Sequence, residues 1–152
     1  MLALSPASCG CTLALDQRLT ISHGTTSHGV DARLEIDAAS VDVALLAAGQ
    51  VVGTLRWDGE RLEAHAPVAW PQMVTPARVL SDLQLVWWPA EAVRNALPSS
   101  WTLVEGPLTR QLRQGGLDLV SVRYEGRPPG WQKVVLERPS RYTIEIESVE
   151  AP

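Results

Sequence analysis

Two cysteines, three histidines and a few strand arginines are the residues of this chain best suited to chemistry. Cys9-Gly10-Cys11 follows the mildly apolar MLALSPAS. Two thiols without further ligands cannot complete a tetrahedral metal site. Small residues precede each one, Ala7-Ser8 before Cys9 and Gly10 before Cys11, as they precede the modified cysteine of a bacterial lipoprotein. Both sulfurs are therefore lipidation candidates. A basic n-region and an apolar run of about 7–15 residues, the marks of a secretory signal, are not present ahead of them. The rival readings are a free-thiol pair and a disulfide between near neighbours.

The histidines point away from catalysis. His23 and His28 flank Gly24-Thr25-Thr26-Ser27, which reads as a hairpin loop, and His65 ends a distant strand. No HxH or HExxH spacing joins them. The serines form no GxSxG elbow, and no GxGxxG or phosphate loop occurs. Glu145, Glu147 and Glu150 alternate along one strand, as a solvated face does. Arg33, Arg56 and Arg123 also sit in strands, and an exposed face is the expected place for them. An inward arginine would instead receive an amphiphile's head group. No nucleophile–base pair can be named, so the chain is read as a non-enzyme needing no metal or cofactor.

The elements that would position these residues are mostly strands. With 152 residues, 20% of them charged, and a net charge of −4, the chain suits one domain and disfavours a nucleic-acid partner. No run approaches the ~18 apolar residues of a membrane span. Phe is absent, so Trp57, Trp70, Trp87, Trp88, Trp101 and Trp131 supply the large aromatic contacts. From Arg18 onward the period is 2. Val30–Asp37 places Ala32, Leu34 and Ile36 on one face. Ser40–Ala47 groups Val41, Val43 and Leu45, and Val51–Asp58 groups Val52, Leu55 and Trp57, with Gly53 interrupting like a bulge. Asp58-Gly59 predicts a two-residue hairpin turn. Later strands carry Val120 and Val122, then Tyr142, Ile144 and Ile146.

Thr75–Leu97 is the helical exception. Pro76 suits the first turn with Thr75 as cap. At about 100° per residue, Val79, Leu80, Leu83, Val86 and Trp87 form one apolar stripe. Leu85 and Trp88 fall on another side, with Ser81 and Arg78. Pro89 breaks the run and starts a second helix. The pattern predicts a mainly β (α+β) fold: about ten strands in a strongly curved antiparallel sheet or incomplete barrel, with a two-helix lid inserted mid-chain. Residues 1–15 read as a tail, 16–150 as one domain, and 75–97 as the lid.

Three segments carry a resemblance: Gln17-Arg18-Leu19-Thr20, Val79-Leu80-Ser81-Asp82-Leu83-Gln84-Leu85-Val86-Trp87-Trp88-Pro89, and Arg141-Tyr142-Thr143-Ile144-Glu145-Ile146-Glu147-Ser148. In this order they resemble a family of small bacterial lipoproteins of unknown function, often encoded beside fatty-acid-synthase-like enzymes that make aryl polyenes. That family is similar to the LolA/LolB carriers, whose half-closed barrel holds a hydrophobic cavity under a helical lid. The resemblance implies a periplasmic, outer-membrane-anchored lipoprotein, lipidated near its start at Cys9 or Cys11.

Two functions are expected to compete. In the first, a monomeric carrier holds a lipid, acyl or polyene chain on the concave face, against Leu34, Ile36, Val43, Leu55, Trp57, Val120 and Val122. Val79, Leu83, Leu85, Trp87 and Trp88 of the lid cover it. In the second, a scaffolding lipoprotein with a packed core binds a protein partner through exposed Leu85 and Trp88 or a free sheet edge.

Overall fold

Alternating side chains give a single antiparallel sheet of ten strands in this computed structural model, which describes residues 2–65, 75–128 and 130–152. Trp70 lies outside the described residues. The first half of the chain runs through β1 (Leu13–His23), β2 (Thr26–Ile36), β3 (Val41–Ala47), β4 (Gln50–Trp57) and β5 (Leu62–His65). The helices α1 (Pro76–Trp87) and α2 (Ala90–Ala96) follow. The second half supplies β6 (Trp101–Glu105), β7 (Thr109–Gln114), β8 (Leu117–Glu125), β9 (Lys133–Arg138) and β10 (Tyr142–Glu150). The order across the sheet is β5-β4-β3-β2-β1-β10-β9-β8-β7-β6, so among the described residues β5 and β6 are the edge strands and the sheet is not closed. Each half is a meander. They meet through the first and last strands, in register from Leu15↔Glu150 to Ser22↔Thr143.

This topology puts the strand-joining turns at two ends. The β1–β2, β3–β4, β7–β8 and β9–β10 turns share one end; the β2–β3, β4–β5, β6–β7 and β8–β9 turns share the other. Gly53 marks the expected irregularity: the register slips between Leu45↔Gly53 and Leu46↔Val51, leaving Val52 as the extra residue of a bulge. Asp58-Gly59 behaves differently from expectation. The strands are separated by the four residues 58–61, because Asp58 Oδ1 accepts from the backbone N–H of Glu60 and Arg61, both at 2.8 Å, and widens the turn.

The helices begin and end where their caps dictate. Thr75 Oγ1 accepts from the Arg78 N–H at 3.2 Å, Pro76 opens the first turn, and the chain leaves the helix at Trp88, before Pro89. The inward faces of the strands bury Leu15, Leu34, Ile36, Val41, Leu55, Val120, Val122 and Leu136 almost completely. Trp57 and Trp88 join them, while Trp87, Trp101 and Trp131 are half-buried against this core.

The segment read as a tail is part of the packing. β1 starts at Leu13, inside the stretch assigned to the tail, and Pro6–Cys9 forms a 3-10 turn with Leu2, Pro6 and Cys9 buried. We call residues 2–9 the strap.

Candidate functional site

The apolar stripe of α1 lies across the inward face of the sheet and does not fill the space beneath it. A cavity of about 440 Å³ remains, within the usual size range of small-ligand sites. Its roof is Val79, Leu83, Val86 and Trp87 of α1. Period-2 alternation supplies the walls: Leu19 and Ile21 from β1, Val30 and Ala32 from β2, Val43 and Leu45 from β3. The bulge adds Val52 from β4, and Leu136, Ile144 and Ile146 close the far side. Lining residues from β1–β4, β9, β10 and α1 together mean that the sheet curves around the helix. The cavity opens toward His28, Gly29 and Ala47, which are exposed. At the other end the solid core shuts it. The polar lining side chains are Gln17, His28 and Asp82.

Of the residues expected to line such a cavity, Val43, Val79, Leu83 and Trp87 do so. Leu34, Ile36, Leu55, Trp57, Val120 and Val122 face the same side of the sheet but lie in the packed core. Alternation gives the face of a residue and not its height along the strand. Leu85 and Trp88 are corrected outright. They are buried, at 1% and 0% exposure, and offer no surface to a partner.

The strap covers that second face of α1. Fully buried Gln84 pairs with Leu4 twice, accepting from its N–H at 2.8 Å and donating to its carbonyl at 2.9 Å. Ser81 Oγ accepts from the Leu2 N–H at 3.0 Å. Trp88 Nε1 donates to the Ser8 hydroxyl at 3.0 Å and the Ser5 carbonyl at 3.3 Å, and Trp57 Nε1 donates to the Leu4 carbonyl at 2.7 Å. The helix is thus held from both sides.

Asp82 is the residue that pattern reading missed. It is 5% exposed and sits at the edge of the apolar stripe, three residues after Val79 and four before Val86. A carboxylate at that position was the available signal. It accepts from Arg138 Nε at 3.0 Å, from Arg138 Nη2, and from the Tyr142 hydroxyl at 2.5 Å. Burial works against the Arg138 charge, but the bonds and charge of Asp82 outweigh it and raise the pKa. Burial, then the Asp82 charge, push the Tyr142 phenol above the ordinary tyrosine value. The group is therefore a carboxylate clamped between a guanidinium and a neutral phenol. Tyr124, whose hydroxyl donates to the Val86 carbonyl at 2.7 Å, is pushed up to about 12 by burial.

Apart from His28, which stands at the cavity opening, the other sequence candidates lie away from it. Arg33 pairs with Glu35 at 3.3 Å and Asp16 at 3.7 Å, and Arg56 with Asp42 at 3.1 Å. Arg123 is exposed, and none of the three lines the cavity. The histidines are exposed, and His23 Nδ1 donates to the Arg141 carbonyl. Among the described residues no cluster of His, Cys, Asp and Glu is arranged to hold a metal ion, and no helix is long and apolar enough to cross a membrane. Cys9 and Cys11 are joined in a disulfide, with Cα atoms 5.1 Å apart. A sulfur in that bond cannot also carry a thioether-linked lipid.

Residues 14–150 match the model of a family described as a protein of unknown function, DUF3261. No curated protein matches the chain.

Proposed function

The chain belongs to that family of unknown function, and from this premise we propose that it is a non-enzymatic carrier or receptor for one hydrophobic chain. The observation that carries the reading is the apolar cavity of about 440 Å³ beneath α1. A water's share of liquid volume is about 30 Å³, close to that of a methylene, so the space suits roughly fifteen such groups. A lipid, acyl or polyene chain of that size gains on the order of 25 cal/mol for each Å² of apolar surface it buries. An open curved sheet roofed by a helix is also the arrangement expected of a LolA/LolB-like carrier, which supports the same assignment. The scaffolding alternative loses one of its two stated contact surfaces with the burial of Leu85 and Trp88, and keeps the sheet edge.

The test is displacement of phenylnaphthylamine, a neutral dye that brightens in apolar surroundings. Dye and dodecanol should compete with micromolar affinity, and Trp87, as part of the roof, should change its emission. A dye that stays dark at every protein concentration, with Trp87 emission unmoved, would sink the proposal.

A periplasmic location agrees with the disulfide, since that compartment is oxidising. Anchoring in the outer membrane through Cys9 or Cys11 is the competing use of the same sulfurs. Intact mass with and without reduction separates the two. Protein recovered from a bacterial periplasm should resist alkylation until it is reduced and then accept two alkyl groups. An added diacylglyceryl mass, with the residues ahead of the cysteine removed, would establish the lipid anchor instead.

A further inference from the structure

The two ends of the sheet differ in charge, although each strand reads as a similar mixture. Every turn at the closed end begins with a carboxylate: Asp37–Ser40, Asp58–Arg61, Glu105–Leu108 and Glu125–Gln132. The four turns at the open end, His23–His28, Ala47–Gln50, Gln114–Leu117 and Arg138–Tyr142, contain none.

The cations at this end differ in whether they are already neutralised. Arg138 is bound to Asp82, and Arg113 to Asp118 at 2.8 Å. Arg78 and Arg141 have no ion-pair partner among the described residues. Arg78 immediately precedes Val79 of the roof and lies one helical turn before Asp82, which binds Tyr142. Arg141 is the chain neighbour of Tyr142 and is exposed in the β9–β10 turn. The Asp82–Tyr142 contact therefore puts both arginines at the open end of the sheet, beside the Asp82 part of the cavity wall although neither lines it, on a chain whose net charge is −4. The closed-end turns hold Arg61 and Arg127 as well, but Asp37, Asp58, Glu60, Glu105 and Glu125 outnumber them, so the open end is the more favourable for an anion.

Taking the carrier reading above as given, we infer that the ligand is a single-chain amphiphile with an anionic head. Its tail lies among Leu19, Val43, Leu83 and Ile146, and its carboxylate or phosphate stays at the rim beside Arg78 and Arg141. Neither head group needs to enter the apolar interior, where Asp82 would oppose it.

Dodecanoate, dodecyl phosphate, dodecanol and dodecyltrimethylammonium, competed against phenylnaphthylamine, test this on the full chain. The Arg78→Gln/Arg141→Gln double variant should weaken dodecanoate, dodecyl phosphate or both by about three- to tenfold, the scale of one or two exposed charge pairs, and leave dodecanol unchanged. The anion that responds identifies the head group. Raising the salt concentration should weaken anion binding to the unaltered protein and spare dodecanol. The inference is overturned if the variant shifts all four chains alike or none, or if the anions are indifferent to salt. Failure of every chain to displace the dye would instead condemn the carrier reading on which it rests.

Discussion

Asp82→Ala is expected to lower the stability of the fold by about 3–5 kcal/mol, the cost of breaking a buried ion pair by removing one partner. The carboxylate accepts three hydrogen bonds, from Arg138 Nε, Arg138 Nη2 and the Tyr142 hydroxyl, and Arg138 is itself largely buried. Truncation would leave a guanidinium and a phenol facing apolar side chains. Removing both charges should cost far less: an Asp82→Leu/Arg138→Met pair is expected to recover most of the loss. Urea unfolding of the singles and the double gives the coupling energy, provided the slope with denaturant is unchanged. A single-variant loss below about 1 kcal/mol would mean that the pair is solvated like a surface contact.

The same group sets a direction with pH. Tyr142 and Tyr124 are held neutral above the ordinary tyrosine value of 10.0 in the folded chain. A phenol whose folded pKa is raised contributes stability that is complete below the unfolded value and lost as pH climbs through the folded one. Stability should therefore decline above pH 10, and Tyr142→Phe should make that decline shallower. A decline as steep in the variant as in the parent would remove Tyr142 from the explanation.

The β part of the fold was legible because one face of each strand is buried and the other is wet, which writes a period of 2 into the sequence. Gly53 and the break at Pro89 were legible for a similarly local reason: each disturbs the backbone where it stands. Of the stripe Val79, Leu80, Leu83, Val86 and Trp87, all but Leu80, which is buried in the core, line the cavity as its roof. What alternation could not supply was depth. Leu34 and Val43 face the same side as direct register partners, yet Leu34 is sealed in the core and Val43 lines the cavity, so the boundary between core and cavity passes between two neighbouring strands, which alternation does not record. Strap contacts were equally hidden. Leu4 meets Gln84 across a sequence separation of 80, through one side-chain amide, and no periodicity records such a pairing.

Trp88→Ala should be as damaging as the loss of Asp82, at about 3–5 kcal/mol. Its indole is fully buried and its N–H is shared between Ser5 and Ser8, so the substitution both opens a cavity and frees the strap. Trp88→Phe retains most of the volume and should cost about 1–2 kcal/mol, mainly for the lost hydrogen bond. Deleting residues 1–8 removes the partners of Gln84, Trp57 and Trp88 in one step, while keeping Cys9 and Cys11. We expect that truncation to lower the urea midpoint at least as far as Trp88→Phe does. Such a fall would show that processing ahead of Cys9 strips the back of α1, so that a domain anchored there would need another partner to cover Gln84 and Trp88. An unchanged midpoint would mean that water satisfies those groups as well as the strap does, and that the disulfide and the anchor compete for the cysteines without a cost to the fold.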